Sequence, residues 1–388
     1  MNSRWNLRST APELAVRYLA DGHWTNETLA SVLDEALRAN AGLALKVWSD
    51  ARPFDGRVGE VHELARRVAT GLGRRGIGPG DVVAFQIPNW VEAAATFWGV
   101  VLSGATILPI VHFYGAREVG FILRQSGARA FVTADRFRGI DYLASLDVVR
   151  SGAPELELVV TIGSVSAGAI DFAELSQDSS QERPSSIDPD SPAVIAYTSG
   201  TTSDPKGVVH THRSILAETY QLAAMQTRGK QIDLPTLAGA PVGHFIGMTT
   251  GLLLPLVRKL PIHLTDVWDP AAVLAAMLEG NLTAGSGSTY FLTSLLDHPD
   301  FTPAHLERMR YIGLGGAPVP AAVADRAESL GISIIRSYGL SELPSITGAK
   351  FDDPPEKRKY TDGAPLPGVE MRLVDPGEPF DTETRSRA

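Results

Sequence analysis

The first 180 residues alternate apolar, β-branched runs with stretches whose apolar positions recur at helical spacing. Residues 60–75, EVHELARRVATGLGRR, carry the helical period and run into Gly76-Ile77-Gly78-Pro79-Gly80, which stops a helix. Residues 81–87, DVVAFQI, predict a buried strand. Asn89, with Glu92 three residues on, has the form of a capping box opening a helix that runs to about Ser103. A strand over 105–110, a helix over 116–125 and a strand over 128–133 repeat the unit. Strand, helix and strand in this order imply crossovers and a largely parallel sheet, hence an α/β fold.

Residues 164–190 are rich in Ser, Asp, Gln and Pro and predict a loop or a join between subdomains. The alternation then resumes, with strands over 193–197, near 237–240 and over 333–338, and helices over 214–226, 270–279 and 319–330. From about 357 to 374 short apolar runs between Pro and Gly turns predict a β-rich subdomain. Two windows, 93–116 and 234–257, contain no Asp, Glu, Lys or Arg. Their glycines and prolines suit a buried helix followed by a strand better than a membrane span.

At roughly 150 residues per folding unit, 388 residues allow two or three units with ample core. The formal charge of −9 disfavours a nucleic-acid or polybasic membrane surface but leaves room for a local anion site. Cysteine is absent, which excludes disulfides, thiolate metal sites and thiol catalysis. The start, Met1-Asn2-Ser3-Arg4-Trp5-Asn6, lacks the apolar core of a secretion signal, so a cytoplasmic location is the expectation.

The sharpest segment runs Tyr197-Thr198-Ser199-Gly200-Thr201-Thr202-Ser203-Asp204-Pro205-Lys206-Gly207. Small hydroxyl residues and a glycine after a strand let backbone N–H groups converge on an anion, and Lys206 adds a positive charge. The physical reading is a loop that holds the phosphates of a nucleotide. It is not a Walker loop, because no glycine precedes the lysine and no Ser or Thr follows it. No zinc-ligand spacing, paired-carboxylate arrangement or Gly-x-Ser-x-Gly elbow occurs elsewhere. His210 and His212, close behind the loop, read as polar groups at a helix start.

The segment is similar to the phosphate-loop signature of the adenylate-forming (AMP-binding) superfamily, which includes acyl-CoA synthetases, luciferases and adenylation domains of peptide synthetases. Further motifs follow in the family's order. Ala240-Pro241-Val242-Gly243-His244 resembles the segment lining the acyl tunnel, and Gly315-Gly316-Ala317-Pro318 the motif at the adenine edge. Ser337-Tyr338-Gly339-Leu340-Ser341-Glu342 looks like the family's Tyr-Gly-x-Thr-Glu, with Ser341 in place of Thr. Gly363-x-Pro365-x-Pro367-Gly368-x-Glu370 resembles the motif opening the β-rich subdomain. The resemblance covers about residues 50–375.

It implies two stacked, mostly parallel αβα subdomains, about 50–190 and 191–355, plus a partial β-rich one over 356–388. It also implies ATP, Mg²⁺ and, as co-substrate, coenzyme A. The nucleotide would meet Thr198, Ser199, Gly200, Thr201, Thr202, Lys206, Gly315, Gly316, Ala317, Pro318, Ser337, Tyr338, Gly339 and Ser341. Lys206, Ser341 and Glu342 would be catalytic, Thr198 and Glu342 would hold Mg²⁺, and His244, Phe245 and Gly315 would face the acid. Tyr338 offers a flat face for adenine, and Glu342 a hard oxygen ligand.

Two departures stand out. Ser203 replaces a glycine usual in the family, and no Gly-Asp motif, hinge or mobile lid with its lysine follows residue 375. The resemblance therefore implies the large N-terminal domain of an acyl-CoA synthetase for a fatty or other apolar acid, impaired as a ligase without the lid. Alternatives are an aryl-acid or amino-acid adenylation domain that loads a carrier protein, and a truncated form that only binds ligand.

Overall fold

The computed structural model describes residues 5, 7, 10–177, 187–198, 204–227, 234–285 and 287–374. The fold is mixed α/β with mostly parallel sheets, as the alternation predicts. The largest sheet has seven strands in the order Lys206–Thr211, Pro192–Thr198, Thr106–Pro109, Val82–Gln86, Ala128–Ala134, Leu158–Ile162 and Ile170–Asp171. All its pairings are parallel except that of the edge strand Lys206–Thr211.

A five-stranded sheet orders Thr283–Ala284, Thr236–Ala238, Ile262–Thr265, Ala44–Trp48 and Phe54–Arg57. A four-stranded sheet orders Tyr311–Leu314, Ser333–Leu340, Leu343–Gly348 and Ala364–Pro365. The sheets interleave in sequence: the strands at 192–211 complete the sheet begun at 82, while those at 44–57 join strands near 237–265.

Side-chain alternation along a strand explains the layering. Val83 and Phe85 belong to one core and Val82 and Ala84 to another on the opposite face of the seven-stranded sheet. The first core also takes in Leu45, Val47, Ile262 and Leu264 of the five-stranded sheet and the helices Leu29–Ala39, Val58–Arg74 and Val91–Ser103. Twelve of the thirteen residues of Val91–Ser103 are buried, so the run that mimics a membrane span is a core helix. Among the described residues no helix is long and apolar enough to cross a membrane.

Four sequence expectations change. The helix at 91 starts after Trp90 without a side-chain cap, so Asn89 and Glu92 do not form a capping box. Asn89 is buried and bonds across the fold instead, and Glu92 pairs with Arg52. A buried amide has to satisfy its polar atoms, and this one does so on backbone groups of Ala240, Val242 and Thr265. Second, the window 234–257 is a strand, Thr236–Ala238, followed by the helical run Phe245–Arg258 with a π-turn at Thr249–Leu253, the reverse of the expected order.

Third, 357–374 opens inside a helix, Pro355–Tyr360, and contains only the two-residue strand Ala364–Pro365. Fourth, part of the expected loop at 164–190 is ordered as strand Ile170–Asp171 and helix Phe172–Leu175, with 178–186 outside the described residues. The elements before residue 57 were not legible as a pattern.

Close helix packing depends on Gly99, where a Cβ would lie 2.7 Å from the Ala65 carbonyl oxygen and 2.8 Å from Val68. Overpacking a core contact of this kind costs about 1–3 kcal/mol. Gly99→Ala is expected to lower stability by about that amount, read as a lower urea midpoint with unchanged slope.

Candidate functional site

The phosphate-loop, acid and Gly315–Pro318 segments each follow the carboxyl end of a strand, while Ser337–Leu340 lie within the strand Ser333–Leu340 and run into the turn at Ser341 and Glu342. Thr198 closes one strand and Lys206 opens the next, and the two are antiparallel partners in register. Ser199, Gly200, Thr201 and Thr202 of the expected phosphate loop lie outside the described residues, as does Ser203. Lys206 is exposed, and no carboxylate pairs with it among the described residues. A free ammonium at a strand-to-strand turn is available to an anion.

The two motifs assigned to adenine converge through strand register. Leu314 pairs with Arg336 in parallel, so Gly315 and Ser337 emerge side by side. A Cβ at Gly315 would lie 3.0 Å from Ser337 Oγ, so the absence of a side chain permits the approach. Gly316 has φ +74°, and Ala317 and Pro318 are exposed. At Gly339 a Cβ would lie 1.7 Å from the Pro344 carbonyl oxygen, which makes glycine obligatory where the hairpin folds back. Tyr338, the next residue after Ser337, keeps 45% of its surface open.

Ser341 is half-buried and Glu342 exposed at the turn between Ser333–Leu340 and Leu343–Gly348. The Glu342 carboxylate and the Thr198 hydroxyl are hard oxygen donors of the type Mg²⁺ takes. Among the described residues no group of three or more acidic or imidazole side chains forms a preassembled metal cage.

The segment expected to face the acid is fixed by glycines and by Asn89. A Cβ at Gly243 would lie 2.2 Å from the Ile110 carbonyl oxygen, and one at Gly247 2.0 Å from that of Pro241. The Asn89 amide donates to the carbonyls of Ala240 at 3.0 Å and Thr265 at 2.9 Å, and its Oδ1 accepts from Val242 N–H at 2.8 Å. Phe245 is buried, whereas His244 is exposed at the helix start, its imidazole pKa nonetheless lowered by the protein packed around it. Gly287 pairs with Leu314 and so joins the five- and four-stranded sheets between the acid and adenine segments.

Sequence reasoning missed three residues that hold these segments together: Asn89, His210 and Glu218. His210, read as a polar helix-start group, is buried and its Nε2–H donates to the Ser341 carbonyl at 2.8 Å. Its ring packs on Phe245 with centroids 5.0 Å apart. Ser345 Oγ donates to Glu218 Oε1 at 2.5 Å, in a site where burial pushes the Glu218 carboxyl up to about 7. His212 accepts from Leu29 N–H and is structural. The only signal in the sequence was a polar residue inside an apolar run, which does not reveal a partner 131 positions away.

Residues 58–384 match the AMP-binding enzyme family. The chain is 27% identical over 363 residues to the medium-chain fatty-acid–CoA ligase of Escherichia coli (strain K12), covering 92% of this chain and 63% of that one. It is 31% identical over 338 residues to the 3-[(3aS,4S,7aS)-7a-methyl-1,5-dioxo-octahydro-1H-inden-4-yl]propanoyl:CoA ligase of Rhodococcus jostii (strain RHA1), covering 82% and 64%. Apo MbtA of Mycobacterium smegmatis has the same fold, with TM-score 0.80 at 24% identity, over 97% of this chain and 68% of that one. The chain thus spans a little under two thirds of the length of these two ligases.

Glu218 gives the site a pH signature. Between the ordinary Glu value of 4.5 and about 7 its carboxyl is protonated when folded and ionised when unfolded. The folded state then binds more protons, so the Glu218 contribution falls as pH rises through that window. Desolvated His62, His212 and His263, each held at about 4, tilt stability the other way below pH 6.5. The diagnostic is therefore a difference: Glu218→Gln should gain stability relative to the parent by roughly 2–3 kcal/mol between pH 4.5 and 7.5 in urea titrations. A separate set of melts should show Asn89→Ala destabilised by about 2–4 kcal/mol, because three buried backbone groups lose their partner.

Proposed function

The chain belongs to the AMP-binding enzyme family, and from that premise we propose that it binds ATP and an apolar carboxylic acid and supports formation of the acyl-adenylate. Within the whole protein the adenylate then passes to coenzyme A. The observation that carries the reading is the parallel register that sets the side-chain-free Gly315 beside Ser337, one residue before the exposed Tyr338.

In the first step a carboxylate oxygen of the acid bonds to the α-phosphorus of ATP, and the bond to the bridging oxygen breaks to release pyrophosphate. Coenzyme A sulfur then attacks the acyl carbon, and AMP leaves. The protein's share is positioning and charge neutralisation. Tyr338 stacks on adenine, Gly315, Gly316, Ala317 and Pro318 approach its edge, and Ser341 offers a hydroxyl to the α-phosphate or carboxylate. Lys206 meets the departing phosphates together with Ser199, Gly200, Thr201 and Thr202. Glu342 and Thr198 would hold Mg²⁺, which supplies positive charge to the phosphates. Phe245, His244 and Gly315 line the path of the acid.

An apolar acid is favoured by the segment from Pro241 to Met248, whose only ionisable side chain, His244, is kept neutral. The curated relatives named above, a fatty-acid ligase and a polycyclic propanoate ligase, are consistent with that class.

Two ligands test the reading on the 388-residue chain by isothermal titration: Mg·ATP, and the hydrolysis-resistant 5′-O-(N-dodecanoylsulfamoyl)adenosine. Both should bind, with the phenyl and aminoacyl analogues weaker. Lys206→Ala should weaken Mg·ATP by about tenfold or more and leave the sulfamoyl ligand, which has no β- or γ-phosphate, within about threefold. Failure of the parent chain to bind either ligand overturns the reading.

A further inference from the structure

The strand Lys206–Thr211 and the helix His212–Thr227 form one continuous arm behind the phosphate hairpin. Residues two apart on a strand share a face, so Lys206, Val208 and His210 point to the same side. His210 is 5% exposed, and on that side its Nε2–H meets the Ser341 carbonyl at 2.8 Å. Eight residues further along the arm, Glu218 accepts from Ser345 Oγ at 2.5 Å. The turn at Ser341 and the strand that follows it, as far as Ser345, are thus held at two points by residues of the arm that carries Lys206. Phe245 braces the His210 ring from the acid segment.

We propose that His210 is a positioning residue for the nucleotide, fixing the Ser341 carbonyl so that Tyr338 and Glu342 are aimed before ligand arrives. The inference rests on the nucleotide site proposed above. Tyr338 and Glu342 are exposed, so their own packing does little to orient them, and the backbone between them sets their direction. Burial lowers the His210 pKa, which keeps the ring neutral and leaves a single N–H to commit to that carbonyl. Without the bond, the Ser341 carbonyl loses a buried partner and only the hold at Ser345 remains.

The test measures binding of α,β-methylene-ATP to the 388-residue chain, with Mg²⁺ and with EDTA. His210→Leu should bind about tenfold more weakly with Mg²⁺ and lose most of the Mg²⁺-dependent gain, with cooperative melting preserved. His210→Gln, whose amide nitrogen reaches the place of Nε2, should stay within about threefold of the parent. A general packing defect would weaken binding equally with and without Mg²⁺ and would not be rescued by Gln. A folded His210→Leu with parent-like affinity overturns the inference, as does Gln behaving like Leu. Should His210→Leu fail to fold, His210→Asn, whose amide stops short of Ser341, takes its place with the same expectations. A parent chain that binds no nucleotide overturns the proposed function and this inference together, whereas a binding parent with an indifferent His210 overturns the inference alone.

Discussion

Parallel strand pairing is the constraint from which the site follows. Neighbouring parallel strands end at the same edge, so the chain leaves them on one side of the sheet. Thr198, Ala238, Leu314 and Leu340 each end a strand that has a parallel neighbour, and each is followed by a segment carrying candidate residues. Within one sheet, register alone brings such segments to the same edge. The register Leu314 to Arg336 does it for the two segments proposed to meet adenine, and an isolated bridge from Gly287 to Leu314 brings in the chain that follows the strand Thr283–Ala284.

Register brings segments to the same edge but does not orient them. That finer placement comes from buried polar side chains whose unmet hydrogen bonds would be costly. Asn89 satisfies three backbone groups on two other segments, and His210 and Glu218 pin the turn at Ser341 and the strand after it at Ser345. Glycines supply the complementary condition. At Gly243, Gly247 and Gly339 another backbone passes where a Cβ would stand, so these contacts exist only because the side chain is absent. Exposed candidate groups such as Lys206, Tyr338 and Glu342 are carried by this frame and contribute little to it.

Strands and helices with a strong period were legible because period reports which face is buried, and burial is what the fold selects. Residues 270–279 are the helix expected, and 82–86, 106–109 and 128–134 the strands expected, within a residue or two at the ends. The strand at 44–48 was not legible, because it pairs with 262–265, more than two hundred residues away, and its own five residues hold too little pattern. Asn89 misled for a related reason: the spacing to Glu92 fits a local cap, yet burial at the junction of two sheets gave the amide stronger distant partners.

By itself the sequence determined the α/β class, the order of the motifs and the chemical type of each side chain, since these depend on local pattern and on residue identity. Only the tertiary structure decided which residues hold the motifs in register: that His210 reaches Ser341, that Glu218 receives Ser345, and that Phe245 stands behind the imidazole. Such contacts join positions separated by 35 to 131 residues, where no periodicity connects them. They arise because a closed core leaves each buried polar group only the partners that packing brings within reach.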